Sequence, residues 1–365
     1  MAQLEYTIHP SDSPASDSER EAILANPGFG KHFTDHMVTI EWNEEEGWHN
    51  AQVRKFEPIP LSPALTTLHY GQSIFEGIKA YRQPDGHIKS FRPEQNAARF
   101  ARSAHRLAMP ALPEEEFLES IRQLVTIDQA WVPQPGEESL YLRPLMFATD
   151  ETLGVHPGHT YLYILMASPA GAYFANGVKP VTVWITDDYV RAAPGGTGAA
   201  KCAGNYAASL LAQEQAEEKG CDQVVWLDAI ERNYIEEMGG MNIMFVYGSG
   251  ADAEVVTPAL SGSLLPGVTR DSILQVARDL GYGASEKKVT KQQWADDVAS
   301  GAMTESLACG TAAVITPIGH VKGNGLDFVV NNAEPGTITM QLREHLTGIQ
   351  RGTVEDTHGW LYTLV

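Results

Sequence analysis

Cysteine is scarce in this sequence. The 365 residues include three cysteines, Cys202, Cys221 and Cys309, and none of them belongs to a CxxC motif. Three thiols at unrelated spacings are too few for the disulfide framework of a small secreted domain. We therefore expect reduced thiols and a cytoplasmic location.

Positive charge is also in short supply. The chain has 26 lysines and arginines against 46 aspartates and glutamates, which gives a formal net charge of -20 and a pI near 4.9. An acidic surface repels phosphate, so the composition argues against a nucleic-acid partner or an anionic membrane. Any phosphate that this protein binds must sit in a locally arranged site.

Long apolar runs are missing as well. The longest, residues 161–172, is interrupted by Ser168 and Pro169 and falls short of the roughly 20 residues that a membrane span needs. The first 20 residues lack the basic start and apolar core of a secretory signal. The sequence therefore predicts no membrane partner.

What remains is the composition of an ordinary globular protein, with 43% hydrophobic and 20% charged residues. At roughly 150 residues per domain, the length predicts about two domains. Residues 171–180 are rich in glycine, proline and asparagine, as interdomain segments often are. We predict a small domain over 1–170, an interdomain loop over 171–180 and a larger domain over 181–365.

The first half separates its predicted strands from its predicted helices. Two hairpins come first, and the turn of the second is Gln83-Pro84-Asp85-Gly86, whose proline and glycine suit a tight turn. We predict strands at 37–42, 48–56, 78–81, 87–91, 140–148 and 161–168, and helices at 93–109 and 117–125. This pattern indicates an α+β domain.

The second half mixes strands with helices and glycine-rich loops, so the whole chain is predicted to be a two-domain α/β protein. We predict strands at 181–185, 223–227 and 243–247, and helices at about 206–219, 271–280 and 291–299.

Residues 195–206, GGTGAAKCAGNY, place one lysine, Lys201, among small residues just before a helix. Small neighbours let a bulky planar group approach, and a lysine that loses its solvation can supply the free amine that imine formation needs. A phosphate loop of the GxxxxGK[ST] kind is excluded because Ala200 precedes Lys201, and a GxGxxG fingerprint lacks its third glycine. A flexible surface loop remains an alternative.

Three further segments carry polar groups. Residues 264–270, LLPGVTR, deliver Val268 and Thr269 to a helix N-terminus, where unpaired N–H groups can bind an anion. The alternative is a plain turn with Thr269 as the helix cap. Residues 309–313, CGTAA, are predicted to form a turn of small residues that carries one hydroxyl, on Thr311. Glu236 and Glu237 are predicted to lie at the mouth of the strand at 243–247. The alternative is that both glutamates belong to a solvated edge.

Together these segments resemble the branched-chain amino acid aminotransferases, of the fold type IV class of pyridoxal-phosphate enzymes. The resemblance runs in order through nearly the whole chain, in segments 29–36, 68–80, 141–144, 195–206, 237–242 and 265–270. It implies a small α+β N-terminal domain and a larger cofactor-binding domain with a β-barrel-like sheet core and surrounding helices.

The same resemblance assigns roles around pyridoxal phosphate. Lys201 would be the Schiff-base lysine and then the proton carrier, Glu237 would face the pyridine nitrogen, and Tyr206 would hydrogen-bond the phenolic oxygen. The positions that match phosphate contacts are Arg99, Arg191, Val268, Thr269 and Thr311.

The implied reaction transfers the amino group of leucine, isoleucine or valine to 2-oxoglutarate. The substrate pocket would draw on Phe29, Phe75, Tyr141, Gly240 and Ala312 of one subunit, and on Tyr70, Leu153 and Val155 of its neighbour. A shared pocket implies a homodimer. We expect Arg143 or Tyr70 to hydrogen-bond the side-chain carboxylate of glutamate.

Two departures from the animal members stand out. Gly240 replaces a threonine that contacts the substrate carboxylate, and Ala313 and Thr316 replace a redox-active CxxC. We expect backbone N–H groups around Gly240 and Ala312 to bind the substrate carboxylate in place of that threonine. Because the CxxC is missing, thiol regulation of this type is not expected.

The alternatives that remain are a D-amino acid transaminase or an aminodeoxychorismate lyase of the same fold type, and a non-catalytic α/β module that binds a phosphorylated ligand. Both of these enzyme groups generally lack the long N-terminal region that contains residues 29–36. His156 and His159 form a loop pair without further nearby ligands, so no metal site is expected.

Overall fold

The computed structural model describes residues 3–172 and 177–365. It divides into two compact units: the first comprises Met1–Ala175, Ala200–Ala203 and Ile349–Val365, and the second Asn176–Ala199 and Gly204–Gly348. The predicted interdomain loop at 171–180 lies partly outside the described residues, because 173–176 are not among them, and it stays a prediction. Within the described ranges, no helix combines the length and apolarity that crossing a membrane requires.

The strands, in chain order, are β1 Thr7–Ile8, β2 His36–Asn43, β3 Gly47–Lys55, β4 Ser73–Phe75, β5 Ile78–Arg82, β6 Ile88–Phe91, β7 Ser139–Ala148, β8 Thr160–Ala170, β9 Val181–Ile185, β10 Gln223–Leu227, β11 Ile235–Met238, β12 Met241–Tyr247, β13 Glu254–Thr257, β14 Gly283–Glu286, β15 Met303–Gly310, β16 Val314–Gly323, β17 Leu326–Val329 and β18 Leu361–Thr363.

The α-helices are α1 Asp17–Leu24, α2 Thr66–Tyr70, α3 Pro93–Arg106, α4 Glu114–Ile127, α5 Ala203–Ala207, α6 Leu210–Glu218, α7 Val268–Asp279, α8 Lys291–Ser300 and α9 Thr337–Gln350. Short 3-10 helices lie at Gln129–Trp131, Gly250–Asp252 and Asn331–Ala333.

The first unit is built on one sheet with the strand order β1-β3-β2-β8-β7-β5-β6-β18, and β4 pairs with β7. Both predicted hairpins are present as β2–β3 and β5–β6. Helices α3 and α4 bury their apolar stripes in the core of this unit, where the ring of Phe100 lies 5.4 Å from that of Phe117 and 5.9 Å from that of Tyr163. The predicted segregation of strands and helices is confirmed.

The second unit contains a closed ring of six strands. The ring runs β9-β10-β11-β12-β15-β16 and returns to β9, with β13 and β14 extending from β12 and with β17 paired to β16. The strands β10 and β12 read as almost continuous apolar runs because they are buried on both faces. Helix α8 contributes Trp294, whose ring lies 5.3 Å from that of Phe245 in the apolar cluster of the barrel strands.

The helix predicted at about 206–219 is interrupted. It forms as α5 and α6, with Ala208 and Ser209 in a turn between them. The hydroxyl of Ser209 donates to the backbone oxygen of Tyr206 at 2.7 Å, and such side-chain bonds compete with helix hydrogen bonds. The break therefore has a local cause that apolar spacing does not reveal.

The two glutamates do not stand at the mouth of the strand at 243–247. Glu236 and Glu237 lie inside their own strand, β11, and both are buried. Consecutive strand residues point to opposite faces, so the two carboxylates have different partners: Glu236 accepts hydrogen bonds from the hydroxyls of Ser261 and Ser263, whereas Glu237 pairs with Arg191. The solvated-edge interpretation is wrong for both.

Candidate active site

Lys201 belongs to the first unit, where its backbone is held on both sides. Its N–H donates to the hydroxyl of Ser103 on α3 at 2.9 Å, and its carbonyl accepts from the N–H of Phe75 on β4 at 3.0 Å. The next residue, Cys202, forms an isolated bridge with Ile74. Lys201 is therefore not in a loose surface loop, and its Nζ lies 4.9 Å from the centre of the Phe75 ring.

Beside Lys201 lies a fully buried ion pair that sequence reasoning missed. Glu76 has 0% of its surface exposed, and Arg99 has 4%. The Nε of Arg99 donates to Glu76 Oε1 at 2.7 Å, and its Nη2 donates to Oε2 at 2.8 Å. Asn96 adds a third donor at 2.8 Å. Two parallel bonds fix the guanidinium in one plane and orientation.

The charge of Glu76 is retained despite its burial. Burial raises the pKa of this carboxyl, but the charge and hydrogen bonds of Arg99, the charge of Lys201 and the hydrogen bond from Asn96 outweigh that effect and hold the pKa below its ordinary value. Lys201 thus lies within electrostatic reach of a permanent anion. The sequence signal was available, since Glu76 directly follows Phe75, but glutamate beside a strand is rarely buried.

An aromatic cavity also lies in the first unit. It has a volume of about 250 Å³, and its lining consists of Phe29, Gly30, Phe33, Tyr141, Arg143, Met166, Ala167 and Ser168. The rings of Phe29 and Tyr141 meet edge to face at 4.9 Å. The Arg143 guanidinium lies 4.8 Å from the centre of the Phe75 ring and donates to the Tyr141 hydroxyl at 3.0 Å. A cation in an apolar, aromatic wall can orient a carboxylate without making the cavity polar.

These contacts bring together four residues predicted to bind substrate: Phe29, Phe75, Tyr141 and Arg143. The placement of Tyr141 depends on a glycine that we did not single out. A Cβ at residue 77 would lie 2.2 Å from the Tyr141 hydroxyl oxygen, which is far inside van der Waals contact, so Gly77 is required for this tyrosine position.

Three other predicted substrate residues form a separate exposed patch of the first unit. Tyr70 donates its hydroxyl to the backbone oxygen of Leu153 at 2.5 Å. Leu153 and Val155 are 68% and 80% exposed, and neither lines the aromatic cavity. Their exposure within one chain is unusual for apolar side chains close together and is typical of a surface that a partner covers.

The second unit holds the predicted ring contacts and the predicted phosphate contacts other than Arg99, which belongs to the first unit. Glu237 and Arg191, which were assigned separate roles, are in fact ion-paired with one another. The Arg191 Nη2 also donates to the backbone oxygens of Gly198 and Ser263 at 3.1 and 2.8 Å. Glu237 accepts from Asn242 Nδ2 at 3.3 Å and from the N–H of Leu265 at 3.2 Å. The carboxylate is therefore buried and fixed in orientation.

The glycine-rich loop before α5, which includes Thr197 and Gly198, packs tightly against the backbone of the second unit. A Cβ on Gly198 would lie 2.0 Å from the backbone oxygen of Ser263, so only glycine fits. Thr197 donates its hydroxyl to Asn205 Oδ1 at 2.7 Å, and Asn205 Nδ2 donates back to the Thr197 carbonyl at 2.9 Å. This reciprocal pair fastens the loop to the start of α5, which carries Tyr206.

The predicted anion turn is a helix N-terminus. Helix α7 begins at Val268 after Gly267, and no side chain in the described ranges caps it. Thr269 is the second helical residue and not the cap, so the alternative with a threonine cap is wrong. An uncapped N-terminus offers N–H donors and the positive end of the helix dipole.

The remaining predicted positions also lie in the second unit. Thr311 and Ala312 lie in the turn between β15 and β16. Gly240 lies between β11 and β12, where a Cβ would come within 3.4 Å of the Tyr206 ring. A Cβ at this position would therefore be in van der Waals contact with that tyrosine.

The residues present fit pyridoxal phosphate. The first unit supplies a primary amine beside a buried anion, and the second supplies a buried carboxylate and an uncapped helix N-terminus. A phosphorylated pyridine aldehyde requires an amine for its carbonyl carbon, an acceptor for a protonated ring nitrogen and N–H donors for its phosphate.

We expected no metal site because His156 and His159 showed no further ligand nearby, and that premise is wrong. The carboxylate of Asp150 lies beside them as a third potential ligand, and one ligand atom from each of the three side chains falls within 4.8 Å of the others.

Comparisons with known proteins agree with this chemistry. Residues 73–321 match the family described as amino-transferase class IV. The chain is 62% identical to the branched-chain-amino-acid aminotransferase of Mycolicibacterium smegmatis over 362 residues, which cover 99% of this chain and 98% of that one.

Solved structures extend the likeness to the fold. The branched-chain amino acid aminotransferase of Escherichia coli superposes with a TM-score of 0.75 at 29% identity and covers 91% of this chain and 99% of its own. The enzyme of Thermobaculum terrenum, solved in its PLP-form, gives a TM-score of 0.71 at 22% identity, over 91% of this chain and 98% of that one. The predicted fold type IV architecture is confirmed, and pyridoxal phosphate is the cofactor of this fold type. The chain belongs to the branched-chain amino acid aminotransferases within the class IV aminotransferase family.

Proposed function

We propose that this chain transfers the amino group of leucine, isoleucine or valine to 2-oxoglutarate with pyridoxal phosphate as its cofactor. The observation that carries the substrate assignment is the aromatic cavity with the guanidinium of Arg143 in its lining. An apolar wall suits an aliphatic side chain, and a guanidinium suits the distal carboxylate of glutamate. Both substrates can then use one cavity in turn.

Lys201 is the catalytic residue in this proposal. Bound pyridoxal phosphate supplies an electron sink that weakens the bond between the substrate's α carbon and its hydrogen. Lys201 Nζ would hold the cofactor covalently between turnovers and, once released, would accept the proton from that α carbon. The backbone bonds of Lys201 to Ser103 and Phe75 keep the start of its side chain fixed while Nζ moves.

Glu237 keeps a proton on the ring nitrogen because a buried carboxylate stabilises the positive form of its partner. Arg191 and the Leu265 N–H orient this carboxylate, and Tyr206 would donate to the phenolic oxygen. The phosphate is assigned to the N–H groups of Val268 and Thr269, with Thr311 and the two arginines, Arg99 and Arg191, as further contacts; this list follows the family pattern.

The carboxylate at the substrate's α carbon is assigned to backbone N–H groups around Gly240 and Ala312, because Gly240 has no side-chain donor of its own. Replacing Gly240 with threonine tests this assignment. A side-chain hydroxyl that takes over part of the contact changes KM for all amino acid substrates together, whereas an unchanged KM contradicts a carboxylate site beside residue 240.

Arg143→Gln tests the two-substrate cavity. We expect the half-reaction with glutamate to slow by a factor of about 10 to 100, since a hydrogen bond to a charged group contributes about 1.5–3 kcal/mol. The leucine half-reaction should change much less. Arg122→Gln, at an exposed arginine of α4, is the matched control. Equal effects on both half-reactions contradict the role of Arg143.

The same assay separates related activities. The purified holoenzyme is mixed with L-leucine, D-alanine or aminodeoxychorismate in single turnover, and the loss of the cofactor's visible absorbance is followed. We expect conversion with L-leucine alone. Conversion with D-alanine or aminodeoxychorismate in preference to L-leucine identifies one of the two other fold type IV activities, and a colourless protein with no turnover identifies a binding module.

We also propose a homodimer in which Tyr70, Leu153 and Val155 enter the partner's substrate site. Their exposed apolar surface supports this assignment. Leu153→Asp places a charge in the contact and should shift the size-exclusion mass toward a monomer with loss of activity. Lys89→Asp on strand β6 is the control. A fully active monomer contradicts the proposal.

The buried, unpaired state of all three cysteines supports a cytoplasmic location.

A further inference from the structure

Asp150, His156 and His159 lie together in the segment that joins β7 and β8. One ligand atom from each side chain lies within 4.8 Å of the other two. Within the single chain both histidines are exposed and Asp150 is partly buried. None of these residues has a part in the proposed transamination.

The hydrogen bonds of the two histidines leave the same nitrogen available in each ring. His156 Nδ1 lies 2.8 Å from the backbone oxygen of Pro157, and His159 Nδ1 lies 2.9 Å from Glu44 Oε1. A carbonyl and a carboxylate can only accept, so each Nδ1 carries a hydrogen, and in the neutral ring each Nε2 keeps a lone pair. Histidine ligands of metal sites show this pattern, in which the second nitrogen donates to a carboxylate or a carbonyl.

The carboxylate is also oriented before any ion binds. Asp150 accepts from the N–H of His159 at 2.9 and 3.0 Å and from the N–H of Thr160 at 3.2 Å. A Cβ on residue 158 would come within 2.9 Å of Asp150 Oδ2, so Gly158 permits this close packing. The Thr160 hydroxyl also donates to Asp150 Oδ2, at 3.3 Å. Oδ1 accepts one bond, from the N–H of His159, and because a carboxylate oxygen has about two lone-pair positions, Oδ1 keeps one for a metal.

We propose that Asp150, His156 and His159 form a binding site for a first-row divalent transition-metal ion, with zinc as the ion that the ligand set fits well. Two imidazoles and a carboxylate, with water in the fourth position, match zinc coordination. Magnesium and calcium prefer oxygen ligands alone. Through Glu44, the ion would also fasten the segment to the turn of the β2–β3 hairpin.

Zinc binding to the untagged, full-length holoenzyme tests the proposal. The protein is treated with EDTA, dialysed, titrated with zinc chloride, and its bound zinc is measured after gel filtration. We expect one zinc per chain at saturation. The three cysteines are buried, so thiolates do not compete. Millimolar magnesium should not displace the zinc, and displacement contradicts imidazole ligation.

Variants identify the ligands. His156→Gln and His159→Gln should each weaken zinc affinity more than tenfold, and Glu44→Gln should weaken it by about tenfold, the lower end of measured effects for such outer partners. The matched control is His87→Gln, because His87 is an exposed histidine beside one carboxylate, Asp85, at 3.3 Å. Unchanged zinc affinity in both ligand variants, or an equal loss in the control, overturns the site.

Crystallography gives a readout that does not depend on variant folding. Anomalous scattering at the zinc edge should place an ion about 2.1 Å from the imidazole nitrogens of His156 and His159. A zinc peak at another location, or none at this one in crystals soaked with zinc, also overturns the proposal.

Discussion

Replacing Glu76 with glutamine should destabilise the protein far more than an ordinary charge deletion. The carboxylate is fully buried and makes two bonds of 2.7 and 2.8 Å to Arg99, which is itself 4% exposed. Glutamine has nearly the same shape but removes the negative charge that faces the buried guanidinium of Arg99. Breaking a buried pair in this way costs about 3–5 kcal/mol.

The matched control is Glu57→Gln, which breaks the pair of Arg54 and Glu57 on the surface of the same unit. That pair is solvated, so we expect a loss of less than about 1 kcal/mol. Urea unfolding followed by circular dichroism measures both. With a slope of roughly 3 kcal/mol per molar, Glu76→Gln should lower the midpoint by about 1 M or more. A midpoint equal to that of the control refutes the buried-pair reasoning.

The contribution of the Glu76 charge to the free energy of unfolding should depend on pH. The pKa of Glu76 is lowered in the folded chain, so its stabilisation is fully present above the unfolded value of about 4.3. It is lost as the pH falls through the folded pKa, because the wild-type carboxyl then becomes neutral like glutamine. The stability difference between wild type and Glu76→Gln should therefore shrink in acid. A difference that grows as the pH falls contradicts this linkage.

Three other perturbations have defined outcomes. Gly77→Ala drives a Cβ to 2.2 Å from the Tyr141 hydroxyl, so KM for leucine should rise and stability fall by about 1–3 kcal/mol; Gly204→Ala, with open space around its Cβ, should change neither. Glu305→Ala removes the carboxylate that binds two N–H groups at the start of α9 at 3.0 and 2.7 Å, and should cost about 0.5–2 kcal/mol in urea unfolding. Burial raises the pKa of the Cys309 thiol to about 12, so a disulfide reagent should leave it unmodified at pH 8 until the chain unfolds.

Local signals were enough to predict many elements. The turn at 83–86 and the glycine at position 220 act through backbone conformations that only a few residues adopt readily. The hairpin β5–β6 and the end of α6 consequently fall where the sequence placed them. Ser209 shows the limit, since its bond to the Tyr206 carbonyl breaks a helix that apolar spacing makes continuous.

Long-range partners could not be read from spacing. Glu76 and Arg99 come from β4–β5 and α3, and Arg191 and Glu237 come from a loop and from β11, so each pair depends on the completed fold. The sequence assigned both arginines to phosphate without identifying the carboxylates that hold them. The pairing of β18 with β6 is of the same kind, because a strand of three residues carries too little pattern to predict its neighbour.

The barrel was predicted from the family resemblance and not from the periodicity of apolar residues. Apolar runs such as β12 show that a strand is buried on both faces, but they do not reveal which strands close the ring. The pairing of β11 with both β10 and β12 completes the closure. In the antiparallel pair of β11 and β12, Glu237 lies opposite Asn242, and Glu237 is the residue predicted to contact the pyridine nitrogen.

Reduction with borohydride shows directly whether Lys201 carries the cofactor. The holoenzyme is reduced with sodium borohydride, digested and examined by peptide mass spectrometry. We expect a phosphopyridoxyl group on the peptide that contains Lys201, and on no other lysine peptide. The same adduct on another lysine, or its absence from a protein that is active before reduction, would show that Lys201 is not the lysine that binds the cofactor.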